Sequence, residues 1–188
     1  MMAIALEDVI GTVLKPEEYD ALPENRFREL VDGVVHMMAT PSGRHEKVAH
    51  RLISELERRV PSSLEVVGVQ EIYLQDLLRR NPDVVVVTAT AYGDGMRSSY
   101  SPSEVELAVE VVSPGSESTD RKVKPREYAE ARIPHFWRVE ITPDVEVHTF
   151  RLGDENYIET GVFTPGDTVS APGLGWAAVA VADLVPRR

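Results

Sequence analysis

Two apolar, β-branched segments constrain the fold of this chain more than any other feature. The first is the run Val84-Val85-Val86-Val87, and the second covers residues 105–112. Short apolar runs without polar alternation are typical of strands that are covered on both faces of a sheet. The sequence therefore predicts two buried strands.

The segments before these strands predict a short helix, a hairpin and a longer helix. Residues 16–22 are expected to form the short helix, with Pro16 at its first position, where a missing N–H costs nothing. Asp32-Gly33 lies between two apolar-rich runs, which is a strong hairpin signal. Ser42 is the expected N-cap of the longer helix, whose apolar stripe contains Val48, Leu52, Leu56 and Val60.

The remaining segments are less regular. We expect an extended segment at 64–74, a polar connection at 77–81, a flexible loop at 91–103, a helix at 119–132, a hairpin at 136–152 and short strands and turns at 157–184. Pro125 predicts that the regular part of the 119–132 helix starts there, because a helix interior requires the N–H that proline lacks. The sequence contains no repeat, low-complexity tract or linker, so residues 1–188 are expected to form a single domain.

Composition narrows the class of protein. Cysteine is absent from the 188 residues, which excludes disulfides, thiol catalysis and thiolate zinc sites and agrees with a reducing compartment. No apolar run approaches the roughly 18 residues of a membrane span. Residues 1–8 lack the basic region of a secretory signal. We therefore expect a cytoplasmic protein without a membrane partner.

The charge of the chain disfavours a large nucleic-acid-binding surface. Asp and Glu number 31 against 20 Lys and Arg, which gives a formal net charge of -11. A field of that sign repels polyanions, and the sequence shows no basic stripe of the kind that dedicated DNA-binding proteins carry. Either nucleic acid is not the partner, or a local basic region and a divalent metal overcome the overall field.

Two carboxylates accompany the apolar runs. Asp83 follows Pro82 and immediately precedes the four valines, and Glu110 lies inside the second run. A buried ionised carboxylate is costly without a partner. Two of them on adjacent strands, with backbone carbonyls and water, would suit the oxygen shell of Mg²⁺. The alternative is that each carboxylate satisfies a turn or pairs with an arginine.

Several short motifs match a known pattern. Pro82-Asp83 and Val109-Glu110-Val111 correspond to the Pro-Asp and acidic halves of the PD-(D/E)XK motif, although Val112 stands where that motif has lysine. The other motifs are Glu29-Leu30-Val31-Asp32-Gly33, Pro41-Ser42-Gly43-Arg44-His45 and Asp120-Arg121-Lys122-Val123-Lys124-Pro125-Arg126-Glu127-Tyr128. In this order, over residues 14–184, they resemble the restriction-endonuclease-like bacterial group of the PD-(D/E)XK nuclease superfamily, in which the lysine comes from the following helix.

The resemblance implies a fold, a reaction and a set of roles. The fold would be α/β, a restriction-endonuclease-like mixed sheet flanked by helices and carrying extra β-hairpins. Asp83 and Glu110, with the backbone of Val111, would bind Mg²⁺ or Mn²⁺. Lys124 would orient the attacking water or stabilise negative charge, and Glu29 would complete the metal shell or hold a water molecule outside it. The implied reaction is phosphodiester hydrolysis, with DNA as the expected substrate.

Other interpretations stay open. Lys122 is an alternative to Lys124, and His45 is either structural or a contact to phosphate. The chain is either an active endonuclease or a catalytically silent binding or assembly protein that keeps the fold. We expect nucleic acid to bind weakly, and we expect a homodimer or higher homo-oligomer, because paired subunits would suit cleavage of both strands of a duplex.

Overall fold

Two mixed β-sheets form the framework of residues 9–23 and 25–186, the part of the chain that a computed structural model describes. Residues 1–8, for which the sequence predicts no secretory signal, lie outside that part. The strands are β1 (Arg28–Val31), β2 (Val34–Met37), β3 (Leu64–Val67), β4 (Glu71–Gln75), β5 (Leu78–Arg80), β6 (Val84–Thr88), β7 (Ser99–Tyr100), β8 (Val105–Val111), β9 (His135–Glu140), β10 (Glu146–Leu152) and β11 (Tyr157–Phe163). The helices are α1 (Pro16–Asp20), α2 (Gly43–Glu57), α3 (Ala89–Tyr92), α4 (Lys124–Glu130) and α5 (Val181–Leu184).

The larger sheet has the order β11-β10-β9-β8-β6-β3, and only β8 and β9 run parallel. Its central strands β6 and β8 are the two apolar runs. On one face, Val84 and Val86 pack with the apolar stripe of α2, and on the other, Val85 and Val87 pack with Tyr128 of α4 and with the smaller sheet. Coverage on both faces explains why these strands lack polar alternation, and it confirms the prediction.

The smaller sheet has the order β2-β1-β5-β4-β7. The hairpin β1–β2 turns at Asp32 and Gly33, both of which have positive φ (52° and 78°), as a two-residue hairpin turn requires. β1 also pairs antiparallel with β5, with Leu30 opposite Arg79. Because side chains alternate along each strand, this register places Glu29 and Arg80 on one face and Arg28, Arg79 and Asn81 on the other.

Two expectations about local structure were wrong: the polar connection at 77–81 contains β5, and the loop at 91–103 contains β7 and the end of α3. The segment at 64–74 is extended, as expected, and its two strands belong to different sheets. β5 is polar but forms because β1 and β4 pair with its two edges. β4 is joined to β5 by a short hairpin turn, but β1 is about 50 residues away, and a three-residue polar strand carries little local signal of its own.

The segment that leads into α4 follows the prediction. Residues Thr119–Val123 form a π-helical turn, and the regular helix begins at Lys124 with Pro125 in its first turn. Single π-turns of this kind occur often at functional sites. The turn matters here because it ends where the predicted catalytic lysine begins.

Candidate active site

Asp83 and Glu110 lie side by side on the central strands of the larger sheet. The β6–β8 register pairs Val84 with Val109, so the residue before β6 is opposite Glu110. The Oδ2 atom of Asp83 accepts a hydrogen bond from the backbone N–H of Val111 at 2.7 Å. Glu110 is only 1% exposed. The two acidic residues that the sequence singled out are therefore neighbours, and both are buried.

Lys124 extends from the start of α4 into the same place. Its Nζ atom lies 2.9 Å from Oε2 of Glu110, 3.2 Å from Oδ1 of Asp120 and 3.7 Å from Oε1 of Glu29. The Glu110 contact is a hydrogen bond, whereas Oδ1 of Asp120 has an ion-pair contact without hydrogen-bond alignment. One ammonium group thus stands at the point where three carboxylates converge.

Glu29 reaches this point from the smaller sheet. Nη1 of Arg80 lies 2.8 Å from Oε2 of Glu29, and the backbone N–H of Asn81 donates to Oε1 at 3.2 Å. The same guanidinium forms a fork with Glu127 of α4, at 2.8 and 2.9 Å. Forked arginine–carboxylate pairs fix geometry as well as charge. Arg80 therefore ties β1, β5 and α4 together around the site.

Tyr128 and His45 hold the two acidic residues of the larger sheet. The Tyr128 hydroxyl donates to Oε1 of Glu110 at 2.6 Å, while Nε2 of His45 lies 3.2 Å from Oδ2 of Asp83. His45 sits at the start of α2, where its backbone N–H donates to the N-cap Ser42. Its Nδ1 atom is buried without a partner among the described residues. Both side chains limit the positions that the acidic residues can adopt.

Negative charge exceeds positive charge in this cluster. We call Glu29, Asp83, Glu110, Asp120 and Glu127 the carboxylate cluster; its buried permanent cations are Arg80 and Lys124. Burial raises the pKa of Glu110 well above its ordinary value, although Lys124 opposes the shift. Burial also raises the pKa of Asp120. A further positive charge would therefore stabilise the cluster.

Lys124 keeps its proton in these surroundings. Burial by itself would lower its pKa, but the charges of Glu110, Glu29 and Asp120 outweigh burial and raise the pKa above the ordinary value for lysine. For His45, burial likewise opposes protonation, and the hydrogen bond and charge of Asp83 raise the pKa overall. The carboxylates of the site thus stabilise the positively charged forms of both Lys124 and His45.

The cluster offers carboxylate oxygens, and these are the ligands that a hard divalent cation such as Mg²⁺ prefers. Over residues 9–23 and 25–186, however, no three Asp, Glu or His side chains converge closely enough to enclose a metal ion as they stand. Both oxygens of Glu110 already accept a hydrogen bond, from Lys124 and Tyr128. Val111, whose backbone is the third predicted metal ligand, donates its N–H to Asp83.

Comparison with known proteins identifies the family. Residues 16–182 match the family described as "Uma2: Putative restriction endonuclease". The chain belongs to the Uma2 family. This membership confirms the resemblance that the sequence motifs carry.

A solved structure shares the Uma2 fold seen here. It is described as a "putative nuclease belonging to DUF820" from Anabaena variabilis, and it superposes with a TM-score of 0.72 over 91% of this chain and 97% of its own, at 17% identity. No curated protein matches the sequence. The likeness confirms the predicted fold class.

The structure brings the four residues predicted to be catalytic in this Uma2 chain, Glu29, Asp83, Glu110 and Lys124, into one buried cluster. Lys122, the alternative lysine, is exposed and outside it. The sequence did not point to Arg80, because the segment around it read as a polar connection. Asp120 and Tyr128 did have a signal, since both belong to the motif that contains Lys124.

Among the described residues, no helix is long and apolar enough to cross a bilayer.

Proposed function

We propose that this Uma2 protein is a metal-dependent nuclease that hydrolyses phosphodiester bonds in DNA. The observation that carries the proposal is the convergence of Lys124 on Glu110, Asp120 and Glu29 inside a cluster with surplus negative charge. Burying five carboxylates destabilises the folded state. Cation-assisted chemistry on a phosphate would explain why the protein keeps them together.

Asp83 and Glu110 would hold Mg²⁺ or Mn²⁺, together with the backbone of Val111. The bound metal would polarise the scissile phosphate and lower the pKa of a water molecule. His45 and the Val111 N–H orient Asp83, and Tyr128 orients Glu110. These contacts keep the acidic side chains pointed at one place, as a catalytic site requires.

Lys124 would stabilise the negative charge that develops on the phosphate, or orient the attacking water. Its raised pKa keeps the ammonium charged at neutral pH, and electrostatic stabilisation is strongest in a water-poor site. Glu29, fixed by Arg80 and the Asn81 N–H, would position Lys124 or a metal-bound water. Each role uses a contact that the fold already makes.

One observation favours a second candidate, a catalytically silent binding or assembly protein. Lys124 and Tyr128 occupy both oxygens of Glu110, and a net charge of -11 repels polyanions. A protein that had lost catalysis could keep the same lysine as a permanent counter-ion. The two candidates differ in whether metal produces cleavage.

The deciding experiment is cleavage of supercoiled plasmid and of single-stranded DNA with Mg²⁺ or Mn²⁺. We expect metal-stimulated nicking by the wild type and none by Glu110→Gln, which removes the charge with little change of shape. Glu130→Gln on the exposed face of α4 is the matched control. Equal cleavage by the purified wild type and Glu110→Gln would not come from this site. That result, or no cleavage by either protein, would favour the silent protein.

We also propose a cytoplasmic homodimer or higher homo-oligomer. The edge strand β11 exposes Ile158 and Val162, and an exposed apolar edge invites pairing with a second copy. Analytical ultracentrifugation of the wild type and of Ile158→Lys tests this. A monomer in both samples would contradict it.

A further inference from the structure

A cleft of about 960 Å³ opens on the face of the smaller sheet that points away from the carboxylate cluster. Its location follows from the β1–β5 pairing. Glu29 and Arg80 face the cluster, whereas Arg28 and Asn81, their neighbours in the chain, line the cleft. The volume falls in the range of small-molecule sites, roughly 300–1,000 Å³. The cleft is thus separated from the candidate active site by the sheet itself.

The floor of the cleft contains buried polar atoms without partners. Arg28 is 7% exposed and donates from Nη1 to the Pro23 carbonyl at 2.8 Å, yet its Nε has no hydrogen-bond partner among the described residues. Asn81 uses its Nδ2 for the Arg26 and Arg28 carbonyls, and its Oδ1 accepts no hydrogen bond from the part of the chain that the structure describes. Unpaired buried groups of this kind are costly unless a ligand satisfies them.

Guanidinium groups concentrate around this floor. Arg79, fully buried beneath Tyr73 at 3.3 Å from the ring centroid, has two nitrogens without hydrogen-bond partners among the described residues. It forms ion pairs with Asp20 and Glu71 at 3.8 and 3.9 Å, and both of these acidic residues also line the cleft. Arg26 is exposed and lines the cleft. Three arginines, Arg26, Arg28 and Arg97, line the cleft against two acidic residues, Asp20 and Glu71. In a chain of net charge -11, this local surplus of positive charge points to an anion.

Aromatic rings supply flat surfaces in the same cleft. Tyr19, Tyr73 and Tyr92 all line it, but Tyr19 is only 1% exposed and Arg28 covers its ring at 4.2 Å, so Tyr73 and Tyr92 offer the accessible rings. Nucleic-acid bases stack on tyrosine rings and on arginine planes, at about 1–3 kcal/mol per base. A ligand that carries both an anionic group and a planar ring would use every feature described here.

We propose that this cleft binds a nucleoside monophosphate, with its phosphate near Arg28 and Arg26 and its base against the tyrosines. The ligand is either a free nucleotide or the phosphorylated end of a nucleic-acid chain, because both present the same group. This site goes beyond the proposed nuclease activity and does not require metal at the carboxylate cluster.

Isothermal titration calorimetry with adenosine 5′-monophosphate tests the proposal, with adenosine and inorganic phosphate as partial ligands. We expect the monophosphate to bind at least tenfold more tightly than either part, and Arg28→Met to weaken binding about tenfold or more. Arg26→Met should weaken it less, and Ser98→Trp should block it by filling the cleft. Arg151→Met, an exposed arginine of β10, is the matched control.

If Arg28→Met does not fold, Arg26→Met and Ser98→Trp decide the question. Unchanged affinity in both folded variants, or no binding to the wild type at millimolar nucleotide, would overturn the proposal. A 5′-phosphorylated trinucleotide and its 5′-hydroxyl counterpart separate the two sources of ligand. Glu110→Gln should keep full nucleotide affinity. Binding without DNA cleavage would therefore sink only the nuclease proposal, and cleavage without binding only this one.

Discussion

The Lys124 ammonium lies 2.9 Å from the Glu110 carboxylate, although one residue begins helix α4 and the other belongs to strand β8. Position 112, two residues after Glu110, holds valine, which packs in the protein interior. The PD-(D/E)XK motif has its lysine at the position of Val112, after strand β8. In this chain, helix α4 supplies the lysine instead. Four predictions concern this site, and a fifth concerns an ion pair near it.

Replacing Lys124 should cost stability as well as activity. We expect Lys124→Met to lower the free energy of unfolding by about 3–5 kcal/mol, because it leaves buried carboxylates without their counter-ion. Lys122→Met removes an exposed charge and should change it by less than about 0.5 kcal/mol. Urea denaturation followed by circular dichroism measures both. Equal stability of the two variants would show that the ammonium does not neutralise the cluster.

Divalent metal should raise the melting temperature of the wild type. Ligands that bind only the native state stabilise it by mass action, and the surplus negative charge of the cluster provides the attraction. The double variant Asp83→Asn, Glu110→Gln should lose this shift. Asp144→Asn, Glu155→Gln makes the same charge change at exposed positions and should keep it. Identical shifts in both double variants would place the metal elsewhere.

Arg80 should be energetically coupled to Glu29 and Glu127, because its guanidinium binds both carboxylates. Arg80→Lys keeps the charge but cannot fork to two oxygens, so we expect it to destabilise the fold nearly as much as Arg80→Met. A double-mutant cycle with Glu127→Gln should give a coupling energy of about 0.5–3 kcal/mol. Additive effects, measured by chemical denaturation, would mean that the fork contributes little.

Nucleic acid should bind weakly without metal. Few clustered cations are available in a chain of net charge -11, so the slope of log affinity against log salt should be shallow, on the order of -2 to -4 at about -0.9 per phosphate. Ca²⁺ should strengthen binding by offsetting the carboxylates. A salt titration on a short duplex, with Ca²⁺ and then with chelator, measures this. Steep, tight binding under chelation would reveal a basic surface that these residues do not account for.

The Arg121–Glu140 pair should stabilise the protein only above acidic pH. Burial opposes the shift, but two hydrogen bonds from Arg121, both 2.9 Å, and its charge lower the pKa of Glu140. A lowered folded-state pKa gives stability that is present above the unfolded pKa, about 4.3, and is lost as pH falls through the folded value. Because the Arg121 side chain is 44% exposed, solvent screens the pair and Arg121→Met should lower the free energy of unfolding only slightly at pH 7. Denaturation at pH 7 and pH 3 should show that difference shrink.

The sequence predicted the central strands and singled out Asp83 and Glu110 for a physical reason, whereas Glu29 and Lys124 came from the family resemblance. An uninterrupted run such as Val84–Val87 has few ways to be buried other than as an inner strand, and charges beside such runs need partners. The motif spacing then located Lys124. These signals are local or belong to the family pattern.

The contacts that assemble the site were not readable in the same way. Arg79 and Arg80 look like a solvated connection, and only pairing with β1 and β4 turns them into a strand. Gly68 separates β3 from β4, which joins the other sheet, and nothing nearby in the sequence specifies that change. The distant strand β1 contributes to the first case, and pairing with strands of different sheets decides the second; local propensity encodes neither.

The opposite faces of the β1–β5 pair limit how this family can vary in length. A strand that gains or loses one residue turns every following side chain to the other face. A single-residue deletion just before β5 would move Arg80 into the position of Arg79 behind Tyr73 and Asn81 into the position of Arg80, which removes the fork to Glu127. We therefore expect natural insertions and deletions to fall in the turn at 153–156 between β10 and β11 and to avoid residues 76–82.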